Sequence, residues 1–177
     1  MKVLALAASN SSTSINKLLA TYAAGLVPNA DVEVLDLNDF EMPIFSEDKD
    51  KDKEKELGQP DLAKRFFQKI GEADAIIISY AEHNGSYTAA FKNVFDWTSR
   101  IDMKVYQGKP VIMLATSPGP GGAATVLAAA TGSAPYFAAE VKGSLSIPSF
   151  YDNFDMEKGE LKNEALAQKL KAIITEL

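Results

Sequence analysis

The runs Val3–Ala8, Ala75–Ser79 and Val111–Ala115 are apolar along almost their whole length, and a helical pattern follows each of them. A strand that is apolar on both faces must be covered on both. A parallel sheet with helices packed on either side provides that cover. The other segments fit the same alternation. Asp31–Leu37 alternates acidic and apolar side chains, as a strand nearer a sheet edge does, and Val141–Ile147 supplies a fifth strand. Ile15, Leu18, Leu19, Tyr22, Ala23 and Leu26 recur at helical spacing until Pro28-Asn29 ends the pattern. Residues 59–71 set Leu62, Phe66 and Ile70 on one helical face, and Ala89–Arg100, Ala123–Ala130 and Glu164–Thr175 complete the helices.

The reading is one α/β domain over residues 1–177. It is a flavodoxin-like three-layer α/β/α sandwich around a five-stranded parallel sheet of order 2-1-3-4-5. In that order strands 1, 3 and 4 are neighbours, and these are the strands followed by unusual loops. Ser9-Asn10-Ser11-Ser12-Thr13-Ser14-Ile15-Asn16 is crowded with hydroxyls and amides and opens a helix. There, unpaired N–H groups and the positive end of the helix dipole favour an anion, and Ser9, Ser11, Ser14 and Asn16 add side-chain donors. Helix capping by Ser12 or Ser14 needs only one of these residues. The loop is neither a P-loop nor a Gly-x-Gly-x-x-Gly fingerprint, which disfavours ATP and dinucleotide sites of the usual design. The segment Tyr80–Tyr87 holds the one histidine, His83, and the Asn84-Gly85 turn signal, and Thr116–Gly122 is rich in Pro and Gly. If a phosphate lies in the first loop, backbone groups of residues 82–85 can read the edge of a heterocycle. The glycines of the third loop then let a planar ring approach.

Composition narrows the chemistry. Lysine and arginine number 18 against 24 acids, a net charge of −6, which argues against a nucleic-acid or anionic membrane surface. With no cysteine and one histidine, thiolate zinc, iron–sulfur, multi-histidine and cysteine-nucleophile sites are excluded. Met1–Ala8 is read as a first strand rather than a signal peptide, and no run approaches the roughly 18 apolar residues of a membrane span. The expected location is cytoplasmic. The sign-alternating run Glu47–Glu56 reads as a solvated loop or helix start, and Asp36 as a solvated strand end. Lys92, Asn93, Asp96 and Trp97 look like a catalytic cluster but fall a turn apart on one helix, so they are expected to fix that helix against a loop or a partner subunit. Trp97 and Phe95 are the aromatic anchors for such an interface.

Together the three segments resemble the NAD(P)H-dependent FMN reductase family of flavodoxin-like proteins, which includes quinone, azo-dye and chromate reductases. The family's first loop, Gly-Ser-x-Arg-x-x-Ser-x-Asn, is matched in register by Ala8–Asn16. Its Pro-Glu-Tyr-Asn-Gly-Ser segment and Leu-Lys-Asn-x-x-Asp-Trp helix resemble Ala81–Ser86 and Phe91–Trp97. Gly108-Lys109-Pro110-Val111 leading to Ser117-Pro118-Gly119 is similar to the third. By this resemblance Ser9, Ser11, Ser14, Ile15 and Asn16 hold the FMN phosphate, Glu82, His83, Asn84 and Gly85 meet the isoalloxazine from one side, and Ser117 and Gly119 lie on the other. This chain has Ser11 where the family has arginine, Ala81 for proline and His83 for tyrosine. The resemblance implies an FMN-dependent oxidoreductase with NAD(P)H as co-substrate, a small electron acceptor, and a homodimer or homotetramer. No catalytic side chain and no metal are expected, because the flavin carries the chemistry. A flavodoxin-type electron carrier is the alternative.

Overall fold

The computed structural model describes residues 1–50 and 59–177. The charged run continues into residues 51–58, outside the described part, so the solvated-loop expectation is not addressed there. The sheet strands are β1 (Lys2–Ala8), β2 (Asp31–Leu35), β3 (Ala75–Tyr80), β4 (Pro110–Thr116) and β5 (Glu140–Ile147). They form one parallel sheet in the order β2-β1-β3-β4-β5, the order read from the sequence. The long helices are α1 (Ile15–Gly25), α2 (Asp61–Glu72), α3 (Ala89–Ser99) and α4 (Ala124–Ser133). A short helix α5 (Phe150–Asn153) and a two-stranded hairpin, β6 (Phe154–Asp155) with β7 (Glu160–Leu161), precede the closing helix α6 (Glu164–Ile174). Two 3-10 turns, Leu37–Phe40 and Ala134–Phe137, α5 and the hairpin are additions that the hydropathy pattern does not show.

The two-residue period of a strand sorts the core into two layers. Leu4, Leu6, Ile76, Ile78, Val111 and Met113 face one side, against Phe66 and Ile70 of α2, Val94 and Trp97 of α3 and Val126 of α4. Val3, Ala5, Ile77, Ile112 and Leu114 face the other, against Leu19 and Ala23 of α1 and Leu170 and Ile174 of α6. Each buried Leu or Ile in these layers contributes about 1.5–3 kcal/mol relative to exposure. β2 is an edge strand, as its acidic alternation predicts, and Val32 and Val34 remain partly exposed there; β5 forms the other edge.

The cluster on α3 is structural. Asn93 Oδ1 accepts from the Phe45 N–H at 2.8 Å, and its amide donates to the carbonyls of Met42 and Pro43. Trp97 Nε1 donates to Pro43 O at 2.7 Å, and its ring stands edge-on to Phe45. Lys92 pairs with Asp96 at 2.7 Å along the helix. Trp97 is 0% exposed, which overturns its expected role as an interface anchor: the segment 42–45 already covers it. Phe95 is only partly buried.

Candidate functional site

Parallel strands bring their C-terminal ends to one edge, and there the three loops share a cleft of about 230 Å³. The first loop contributes Ser9, Ser11, Thr13, Ser14, Ile15 and Asn16; the second Ala81, Glu82 and His83; the third Thr116, Ser117 and Pro118. One wall residue, Tyr151 of α5, comes from outside all three loops.

Ser14 is the N-cap of α1, and its Oγ accepts from Lys17 N at 3.2 Å. Ser9 Oγ accepts from Ser11 N at 3.2 Å, and Ser11 Oγ from Thr13 N at 3.3 Å. The hydroxyls of Ser9 and Ser14 therefore act as acceptors within the loop and keep their hydrogens for a ligand. Ile15 and Asn16 open α1, and a helix gives the N–H groups of its first turn no partner of its own. Four donor groups thus lie in the cleft wall near the positive end of a helix. Among the described residues lining the cleft there is no lysine or arginine.

Asn16 departs from its expected role. Its side chain is buried, accepting at Oδ1 from Ser79 Oγ (2.7 Å) and Thr116 N (3.1 Å) and donating from Nδ2 to Thr116 O (3.2 Å). The amide ties α1 to the ends of β3 and β4, so the residue offers its backbone N–H to the cleft while the side chain fixes the distance between the loops. Glu82 likewise has a structural partner. α4 starts after Ala123, which is left-handed (φ 56°) and has no capping side chain. Glu82 Oε1 accepts from Val126 N, the third residue of α4, at 2.7 Å, as an N-cap side chain would. The second loop thereby caps the helix that follows the third, and its carboxylate sits at the positive end of that helix.

The turn itself is a tight hairpin. His83 and Ser86 exchange backbone hydrogen bonds of 3.0 and 3.1 Å, with Asn84 (φ 53°) and Gly85 (φ 76°) both left-handed between them. Asn and Gly are the residues that tolerate this geometry. Asn84, Gly85 and Gly119 stand outside the cleft wall, while His83 lines it and is exposed. In the third loop Ser117 Oγ donates to Gly119 O at 3.2 Å, and the carbonyls of Ser117 and Gly119 accept from Phe150 N (3.0 Å) and Ser149 N (2.9 Å).

Asp36, read as a solvated strand end, is instead a bolt beside the first loop. It pairs with Lys17 of α1 at 2.7 Å and caps the 3-10 turn through Asn38 N at 2.9 Å, and Asn38 in turn donates to Asn10 O. The Lys17 ammonium first, then the Asn38 N–H, pull the carboxyl from its ordinary 3.8 down to about 2. A carboxyl depressed by folding adds stability above its unfolded pKa and loses it as the pH falls through the folded one. Wild type is therefore expected to exceed Asp36→Asn by a constant margin above about pH 5, a margin that shrinks on acidification and is lost as the pH falls through about 2. Both partners are more than a third exposed, so the margin is at most about 1 kcal/mol. Urea midpoints of the two proteins across that range measure it. A margin that grows on acidification would contradict the pairing.

The model of the family described as NADPH-dependent FMN reductase matches residues 1–152. The chain belongs to that family. The match to the FMN reductase family takes in all three loops and Tyr151. Among curated relatives, an NAD(P)H-dependent FMN reductase of Pseudomonas aeruginosa is 34% identical over 125 residues, covering 70% of this chain and 64% of that protein. The chain thus spans less than two thirds of that relative's length. An NADPH:quinone oxidoreductase of Arabidopsis thaliana is 29% identical across 100% of this chain and 90% of its own. Among solved structures, the flavoenzyme NAD(P)H:(acceptor) oxidoreductase FerB of Paracoccus denitrificans superposes with a TM-score of 0.75 at 23% identity, over 98% of this chain and 93% of that one. At that identity the likeness speaks for the fold.

Proposed function

We propose that this chain is an FMN-dependent NAD(P)H oxidoreductase that delivers reducing equivalents to a small acceptor such as a quinone, a flavin, an azo compound or a metal oxyanion. The observation that carries the reading is the meeting of the three loops at one cleft, lined by serine hydroxyls and by the first residues of α1. Relatives named FMN reductase and quinone reductase support it. The donor set fits a phosphate monoester: it supplies several hydrogen bonds and a helix dipole, and the one acidic side chain of the wall, Glu82, is engaged at α4.

In this reading Ser9, Ser11 and Ser14 and the N–H groups of Ile15 and Asn16 hold the phosphate. Glu82 and His83 border the ring system, with Asn84 and Gly85 shaping the turn behind them. Ser117 lines the opposite wall, and Gly119 holds its curve. FMN, when bound, supplies the hydride chemistry, accepting from the nicotinamide and passing on to the acceptor. The protein's share is to bind, orient and leave one ring face open, so no acid–base pair is required of it. A homodimer or dimer of dimers belongs to this reading. Phe95 remains a candidate contact, in an apolar groove between α3 and α4 that it lines with Phe91 and Phe137.

The test is anaerobic reduction of the FMN-reconstituted protein by NADH and by NADPH in a stopped-flow instrument, followed by a panel of oxidants. The expected result is bleaching of the yellow oxidised cofactor by at least one nicotinamide and recovery on adding a quinone. A protein that binds FMN yet stays yellow with both nicotinamides would overturn the reading.

A further inference from the structure

Tyr151 was not signalled by any of the three loops, yet its ring forms part of the cleft wall while remaining 55% exposed. Its mounting is rigid. Ser149, immediately before α5, is held at φ 46°, a left-handed conformation that a serine adopts only when its surroundings impose it. Those surroundings are visible: Ser149 N and Phe150 N donate to the third loop's Gly119 and Ser117 carbonyls, and Asn153 Nδ2 donates to Pro148 O at 2.7 Å. Phe150 is fully buried, stacks on Phe154 with centroids 4.6 Å apart, and meets the Tyr151 ring edge-on at 5.6 Å. Phe154 stands edge-on to Tyr22 of α1 at 5.9 Å. The tyrosine is thus braced against the helix whose N-terminus forms the anion site, on the α1 side of the sheet.

Donors of the kind found here, neutral hydroxyls and backbone dipoles, gain strength when water is kept out, because the local dielectric falls. With no lysine or arginine in the wall among the described residues, this site depends on that exclusion more than one built around a cation. An aromatic ring with a polar tip, in the same wall as Ser9, Ser11 and Ser14 and more than half exposed, supplies it.

Resting on the FMN reading above, we infer that Tyr151 is a cofactor-clamping residue whose ring closes the cleft over the phosphate end of the cofactor. Its removal then weakens FMN far more than riboflavin, which lacks the phosphate. The experiment titrates wild type, Tyr151→Phe and Tyr151→Ala with FMN and with riboflavin, read by flavin fluorescence, with thermal melts as a check on folding. The ring's base, Phe150 on Phe154, is untouched by these substitutions, so the fold is expected to survive. Tyr151→Ala should lose about tenfold or more in FMN affinity and under about threefold in riboflavin affinity, while Tyr151→Phe stays within about threefold for both. Equal losses for the two flavins, or FMN binding by Tyr151→Ala within twofold of wild type, would overturn the clamp and leave the FMN reading standing. Wild type that binds no FMN would remove that reading, and the clamp with it.

Discussion

Asn16→Leu should lower the stability of the fold by about 3–5 kcal/mol, although the residue lies at the rim of a ligand cleft. Leucine keeps the branched outline of asparagine but is bulkier, so no void is left, and overpacking at this buried position adds to the loss of hydrogen bonds. Three buried groups lose their partner at once: the Ser79 hydroxyl, the Thr116 N–H and the Thr116 carbonyl. Each buried polar group left unpaired costs about 1–3 kcal/mol. Ser14→Ala is the comparison, since it removes only a helix cap two residues away and should cost about 1 kcal/mol. Domains of this kind carry about 5–15 kcal/mol in total, so Asn16→Leu leaves the protein near its threshold. Urea denaturation of both variants gives the difference, and FMN titration gives its consequence. With the bracket gone, the spacing between α1 and the ends of β3 and β4 is no longer fixed, so affinity should fall in parallel. If Asn16→Leu unfolds within 1 kcal/mol of Ser14→Ala, the amide is not the tie described here.

That comparison also marks where the sequence stops being informative. Val3–Ala8, Ala75–Ser79 and Val111–Ala115 announce a parallel sheet because each is apolar on both faces and is followed by a helical pattern, and the loops announce a ligand because more short polar residues cluster there than helix capping needs. Each of these signals is local. The partners that decide what the side chains do are distant along the chain. Asn16 meets residues 63 and 100 positions away, and Glu82 meets a helix N–H 44 positions on. A polar residue in a binding loop looks the same in the sequence whether its amide faces the ligand or the sheet. Trp97 fails as an anchor for a related reason: helical spacing places it on a face, but only the packing of residues 42–45 shows that the face is already covered. Tyr151 had no local signal at all. It follows Pro148-Ser149, an ordinary strand ending, and gains its place through the backbone bonds that Ser149 and Phe150 make to the third loop.

Gly122→Val tests the part of the site built from those backbone bonds, and should destabilise the protein by about 2–4 kcal/mol while sharply weakening FMN. Two independent penalties combine. Gly122 has φ 59°, a left-handed conformation that disfavours any side chain and a β-branched one most. A Cβ there would also fall on Ser146 Oγ and lie 3.0 and 3.1 Å from the Pro148 N and Cα atoms. The serine hydroxyl can turn aside, at the expense of its 2.7 Å bond to Gly122 O, but the proline backbone cannot move alone. It leads directly into Ser149 and Phe150, whose N–H groups hold the Gly119 and Ser117 carbonyls. Relief of the clash therefore pushes the third loop away from the corner that carries Tyr151 and opens the cleft between them. Gly119→Ala, three residues earlier in the same loop, is the control: a Cβ there has nothing within 4 Å, and the residue is not left-handed. It should melt within about 0.5 kcal/mol of wild type. The loss at Gly122 is thus expected to follow the steric and dihedral constraint rather than glycine content. Equal melting of the two variants would show that the corner yields freely and that the third loop is not held by it.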